Sequence, residues 1–182
     1  GLPPPRRRPR SEVHPIPSPP EVLRLLGEHE LLPAIYFLFS RRATEQAAEQ
    51  CGGWGPMPDA DAIYRRLEHG LEGLSATDRT IGQVQLLRRL LPRGSGFHHA
   101  GMLPTLKIVV EDLLAAGQLR VVFATDTLSL GINAPARAVV LGDLTKYDGV
   151  SRRPLAASEY RQLTGRAGRR GLDVRGVAVV LY

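Results

Sequence analysis

A single cysteine, Cys51, in 182 residues excludes an intramolecular disulfide and any cysteine-built metal cluster, and it reads as a buried or half-buried bystander. Aromatics are sparse, one Trp, four Phe and five Tyr, and they sit mostly inside apolar runs, so no platform of rings stands ready to stack bases. No apolar run approaches the length of a membrane span, and no signal peptide precedes the domain, which points to a cytoplasmic protein with no membrane partner. A phosphate-cradling G-x-x-x-x-G-K-S/T loop is absent; the nearest glycine cluster, Gly94-Ser95-Gly96-Phe97-His98-His99, lacks the lysine. Absent too are the Asp-Glu-x-His and Asp-Glu-Ala-Asp boxes that hold magnesium. His98 and His99 are adjacent on an expected strand, so they point to opposite faces, and no carboxylate or cysteine lies close in sequence. No metal site is expected.

The charge that is present is gathered at the chain ends. The formal net charge is +6, of which Arg6, Arg7, Arg8 and Arg10 supply +4. Residues 151–182 hold seven arginines against Glu159 and Asp173, while residues 11–150 sum to −3. A uniformly basic nucleic-acid binder is excluded. A localised phosphate site is not.

Residues 1–19 are rich in proline and arginine and predict an extended or disordered linker, with a basic nucleic-acid arm as the alternative. Residues 20–182 predict one domain. Short helices are expected at Glu21–Glu28 and Arg42–Gln50, and less legible ones at Asp59–Gly70 and Thr77–Leu91, a helical excursion within about residues 51–95. Pro104–Ala116 is the clearest helix: proline suits its first position, Leu106, Val109, Val110, Leu113 and Leu114 share a face, and Gly117 stops it. Apolar runs at Ala34–Phe39, Leu119–Ala124, Ala138–Leu141 and Gly176–Leu181, with Gly96–His98, read as buried strands. Strands alternating with helices imply an α/β, doubly wound, mostly parallel sheet whose ligands bind at the carboxyl ends of the strands.

The segment Gly165-Arg166-Ala167-Gly168-Arg169-Arg170-Gly171-Leu172 stands out. Wound as a helix running from Ser158 to Arg169, it places Gln162, Arg166 and Arg169 at i, i+4 and i+7 on one stripe. Gly165 and Gly168 clear space beside them, at a cost of roughly 1 kcal/mol each in a helix interior. Two guanidiniums and an amide aimed one way suit a phosphate; a solvated basic helix end is the bland alternative. Arg170 lies off the stripe and reads as structural.

Phe123-Ala124-Thr125-Asp126-Thr127 with Gly131-Ile132-Asn133-Ala134-Pro135-Ala136-Arg137, and Gln162 to Gly171, resemble motifs V and VI of superfamily-two helicases. Ala34-Ile35-Tyr36-Phe37-Leu38-Phe39-Ser40-Arg41 and Phe97-His98-His99-Ala100-Gly101-Met102-Leu103-Pro104 look like motifs IV and IVa. The set most resembles the Ski-type DExH-box branch, especially its bacterial members, over roughly residues 20–182. The resemblance implies a RecA-like fold and, given the missing loop and box, the second RecA-like domain alone, without the accessory winged-helix and helical-bundle domains.

The resemblance also implies roles. Arg166 and Arg169, assisted by Gln162, would reach ATP phosphates across a cleft shared with the N-terminal RecA-like domain, which would hold most of the ATP and Mg2+. Gly131 and Asn133 would contact the nucleotide or couple it to the strand channel. Ser40, Arg41, His99, Gly101, Thr125 and Asp126 would face single-stranded nucleic acid; helix capping by Ser40 and an ordinary strand-to-loop turn at 125–133 are the structural alternatives. RNA is favoured over DNA because Leu144-Thr145-Lys146-Tyr147-Asp148-Gly149 and Glu159-Tyr160-Arg161-Gln162 look like the RNA-processing members. The expected function is the C-terminal motor half of an ATP-dependent helicase, inactive by itself. The alternative is a non-catalytic nucleic-acid or protein binding module on the same fold.

Overall fold

The computed structural model describes residues 15–130 and 135–182. Most of the expected linker, residues 1–14, lies outside the described residues, as do Gly131 and Asn133.

Helix α1 (Pro19–Glu28) starts on a proline, and Ser18 donates its backbone N–H to the Glu21 carboxylate at 2.7 Å. Strand β1 (Ala34–Phe37) is wholly buried and feeds α2 (Arg41–Cys51). Helices α3 (Ala60–Gly70) and α4 (Gly82–Leu90) make the helical excursion. The single helix expected over 77–91 is broken. Asp78–Thr80 forms a 3-10 turn, its start fixed by Ser75, and Ile81 is extended before α4 begins. Strand β2 (Ser95–His98), α5 (Pro104–Ala115), β3 (Val121–Ala124) and β4 (Ala138–Leu141) follow. A hairpin of β5 (Thr145–Tyr147) and β6 (Arg152–Pro154) comes next, then α6 (Ala157–Thr164) and β7 (Val177–Val180).

Among the described residues the main sheet has five strands in the order β2-β3-β1-β4-β7, every neighbouring pair parallel. It is the doubly wound α/β sheet of a RecA-like domain. β1 sits at its centre, with Ala34 opposite both Val121 and Ala138. The four strands β1 to β4 are buried at every position, which is why they read as continuous apolar runs. Phe37, Phe97 and Phe123 lie fully buried among them, each worth about 1.5–3 kcal/mol of burial. Edge strand β7 keeps its side chains partly exposed.

Cys51 closes α2 in the core, and burial pushes its thiol up to about 12, out of reach of ordinary thiolate chemistry. No helix among the described residues is long and apolar enough to cross a membrane.

Candidate nucleotide and nucleic-acid interface

The helix expected to carry the arginine stripe stops early. α6 ends at Thr164, with Gly165 as its C-cap. The next amides make tighter bonds, Arg166 N–H to the Leu163 carbonyl at 3.3 Å and Ala167 N–H to the Thr164 carbonyl at 3.0 Å. The chain then leaves helical geometry at Gly168, where φ is +92°. Gln162, Arg166 and Arg169 therefore do not share one helical stripe. Gln162 is exposed on the last turn of α6, and both arginines lie beyond it, half-buried.

Backbone pairing wins over helical periodicity here. Ala136 donates to the Arg166 carbonyl at 3.1 Å, and Gly168 donates to the Ala136 carbonyl at 2.7 Å. A parallel bridge results, just before β4 begins. The glycines admit this chain rather than a ligand. A Cβ on Gly168 would stand 3.0 Å from the Gly176 nitrogen, and one on Gly176 would stand 2.2 Å from the Ala167 carbonyl oxygen. The arginine segment thus lies at the amino ends of β4 and β7, beside Ala136 and Arg137, and not at the carboxyl edge of the sheet.

Asp173 fixes Arg169. Its carboxylate takes the Arg169 backbone N–H, Nε and Nη2, each at 2.9 Å. Arg137 Nε stands 3.8 Å from the same carboxylate. The Asp173 side chain is 3% exposed, and the Arg169 guanidinium holds its carboxyl down at about 2. The pair is a side-on fork that sets the orientation of the guanidinium plane.

The carboxyl edge gathers the remaining residues. Ser40 caps α2, its hydroxyl accepting from the Ala43 N–H at 3.4 Å. Ser40 and Arg41 are both exposed. Arg41 reaches the loop after β2, where a Cβ on Gly101 would meet its Nη1 at 2.9 Å. Thr125 is buried beneath this edge. Its N–H bonds to the His98 carbonyl at 3.1 Å and its hydroxyl pairs with that of Thr127 at 3.0 Å.

The two histidines part as expected for strand neighbours, but each finds a carboxylate in space. His98 Nε2 meets Glu111 of α5 at 2.7 Å, and His99 Nε2 meets Glu45 of α2 at 2.9 Å. These partners lie 13 and 54 positions away, beyond any local pattern. His99 is 2% exposed, and its Nδ1 accepts the Gly101 N–H at 3.1 Å, so its proton sits on Nε2. It faces the protein interior and shapes the Gly101 loop. Burial depresses the His98 imidazole, against the opposing pull of Glu111.

Sequence reasoning assigned no role to an ionic cluster between the carboxyl edge and α6. Lys146 of β5 lies 3.0 Å from Asp126 at the β3 exit and 2.5 Å from Glu159 in the first turn of α6. Arg153 of β6 grips the same Glu159 with two nitrogens, at 2.8 and 2.9 Å. Glu159 also accepts the Ala156 N–H at 2.8 Å. Arg153 first, then Lys146, holds its carboxyl far below the ordinary carboxylate range. Beside the cluster, the hairpin and the β1 exit enclose an open cleft of about 510 Å3, lined by Phe39, Ser40, Asp143, Lys146, Tyr147 and Arg152. No group of three His, Cys, Asp or Glu among the described residues could hold a metal ion.

The RecA-like fold places two arginines after α6 and carries an exposed polar edge of strand exits. Residues 74–179 match the helicase conserved C-terminal domain, and the chain belongs to that family. It is 45% identical over 171 residues to the probable helicase HelY of Mycobacterium tuberculosis, covering 91% of this chain and 19% of that protein. It is 37% identical over 164 residues to the antiviral helicase SKI2 of Saccharomyces cerevisiae, covering 89% and 13%. To the ATP-dependent RNA helicase mtr4 of Schizosaccharomyces pombe it is 38% identical over 163 residues, covering 88% and 15%. The chain spans less than a fifth of the length of these Ski-type relatives.

Proposed function

We propose that this chain is the C-terminal half of the motor of an ATP-dependent nucleic-acid helicase acting in the cytoplasm, with RNA favoured over DNA. Its partner is the N-terminal RecA-like domain of the same protein, and ATP lies between the two. The observation that carries the reading is the separation of two chemistries on one sheet. Cationic groups gather beside Ala136 and Arg137 at the amino ends of β4 and β7. Exposed hydroxyl, guanidinium and glycine groups gather at the carboxyl edge. RNA is favoured because relatives such as mtr4 are named as RNA helicases.

The donors here suit phosphate rather than magnesium. Arg166 and Arg169 supply delocalised positive charge, and Gln162 an amide, at the end of α6. ATP, when bound, supplies a phosphoryl group whose charge builds as it transfers, and a guanidinium brought from outside the pocket neutralises that charge. Asp173 presents the Arg169 plane without a search through rotamers. Gly131 and Asn133, outside the described residues, take nucleotide contacts in this reading on the resemblance alone. On the other edge, Ser40 accepts from a backbone amide and so keeps its O–H for a phosphate oxygen, with Arg41 beside it. Gly101 and Asp126 complete the strand-facing edge, Thr125 supports it from beneath through Thr127, and His99 acts there through Gly101.

Turnover separates this from a non-catalytic binding module. The full-length protein should hydrolyse Mg-ATP, faster with single-stranded RNA, whereas residues 1–182 alone should not, since no phosphate-cradling loop occurs in them. A full-length protein that binds strands but never turns over ATP would favour the module.

A further inference from the structure

The hairpin, the β3 exit and α6 meet at one carboxylate. Glu159 is held from β5 by Lys146, from β6 by Arg153, and from its own helix by the Ala156 amide. Lys146 simultaneously holds Asp126 at the β3 exit. Both strands of the hairpin are therefore clamped to the first turn of the helix whose far end carries Gln162 and releases the chain into the arginine segment. α6 is only 8 residues long, about 12 Å at 1.5 Å per residue, so a shift at its first turn is delivered to its last as a rigid-body motion. The cluster is half-sheltered, with Lys146 18% and Glu159 24% exposed. Four charged groups within bonding reach hold their geometry better than one exposed pair does.

We propose that Glu159, with Lys146, is the joint that transmits the state of the strand-facing edge to the arginine segment, so that it sets how far a bound strand accelerates ATP hydrolysis. The proposal rests on the motor reading above. Glu159 touches neither ligand in that reading and is a positioning residue. Glu159→Gln keeps the shape and the Ala156 bond but removes the charge that Lys146 and Arg153 grip. Lys146→Met removes the Lys146 contacts to Asp126 and Glu159 together, and Lys146→Arg keeps the charge.

The test measures ATP hydrolysis by full-length protein with and without saturating single-stranded RNA, alongside RNA affinity without nucleotide. Glu159→Gln and Lys146→Met should leave unstimulated hydrolysis and RNA affinity within about twofold while lowering the stimulation ratio by about tenfold, within the usual range of coupling between sites. Lys146→Arg should restore most of that ratio. Two variants that keep the wild-type ratio, or that lose stimulated and unstimulated hydrolysis equally, would overturn the joint while leaving the motor reading intact. A wild-type protein that shows no RNA-stimulated hydrolysis would overturn the motor reading, and the joint with it.

Discussion

Arg169 and Asp173 form a three-point clamp, in which one carboxylate takes a backbone amide and two guanidinium nitrogens at 2.9 Å each. It ties the arginine's backbone and side chain to the same anchor, in a segment where no helix does that work.

Removing the anchor's charge should loosen both. Asp173→Asn should lower the melting temperature by about 4 °C, from roughly 1–2 kcal/mol of lost charge-assisted bonding in a domain this size. The effect carries a pH signature. The Asp173 carboxyl is held at about 2 in the folded state, below its ordinary value near 3.8. Its contribution is present above the ordinary value and is lost as pH falls through the folded one. The wild-type advantage over Asp173→Asn should thus be full at pH 6 and shrink between about pH 4 and 2. Thermal unfolding of both proteins across that range checks it.

The close approach of two backbones predicts a ranking of glycine substitutions. Gly171 has φ +80° but open space around it, so alanine there meets only strain, about 1–2 kcal/mol. Gly168→Ala adds a contact at 3.0 Å, and Gly176→Ala places a methyl 2.2 Å from a carbonyl oxygen that cannot yield without breaking the bridge to Ala136. Chemical denaturation should rank the losses Gly176→Ala, then Gly168→Ala, then Gly171→Ala.

His98 predicts a loss of stability in mild acid. Its folded-state imidazole is depressed by burial, while the unfolded chain takes its proton near the ordinary value of about 6.5. The unfolded state then binds more protons as pH falls below that value, and stability drops. Glu111 opposes the shift, and Lys107 and His99 add to it. Denaturant midpoints between pH 8 and 5 should fall for the wild type and fall less for His98→Asn.

Strand binding by residues 15–182 alone should be weak, indifferent to sequence and sensitive to salt. With about two to four backbone contacts, log K should fall against log salt with a slope of roughly −2 to −3 on single strands. Titrations at several salt concentrations measure it, and adding back residues 1–14 separates the contribution of the basic tail.

The sheet was legible because parallel strands buried on both faces read as apolar runs; Ala138–Leu141 is observed with the bounds the sequence predicts. The local signals around Pro104 placed α5 to within one residue, Pro104–Ala115 observed against Pro104–Ala116 expected. The end of α6 was not legible. Its spacing fits a helix through Arg169, yet pairing with the remote Ala136 and the close approach of Gly176 decide the backbone, and neither follows a helical period. The β5–β6 hairpin escaped notice because its strands are short, polar and half-exposed, with no alternation to read. Lys146 carries no local sign of its partners, 20 and 13 positions away, whereas Asp173 stands only four positions from Arg169 and is hidden instead by the expectation of a helix that stops at Arg169.

The most direct measurement is steady-state ATP hydrolysis by the full-length protein with Arg166 or Arg169 changed. Each alanine variant should lower kcat by about 10³-fold, within the range known for arginines that act on a transferring phosphoryl group, with a much smaller change in KM. Lysine should rescue little, because a point charge cannot reproduce the planar fork. Arg170→Ala, at an exposed position outside the clamp, should cost far less, and RNA affinity without nucleotide should hold for all of them. An Arg170→Ala loss as large as that of Arg169→Ala, or an Arg166→Ala and Arg169→Ala pair that abolishes RNA binding while sparing kcat, would contradict the assignment of this segment to ATP.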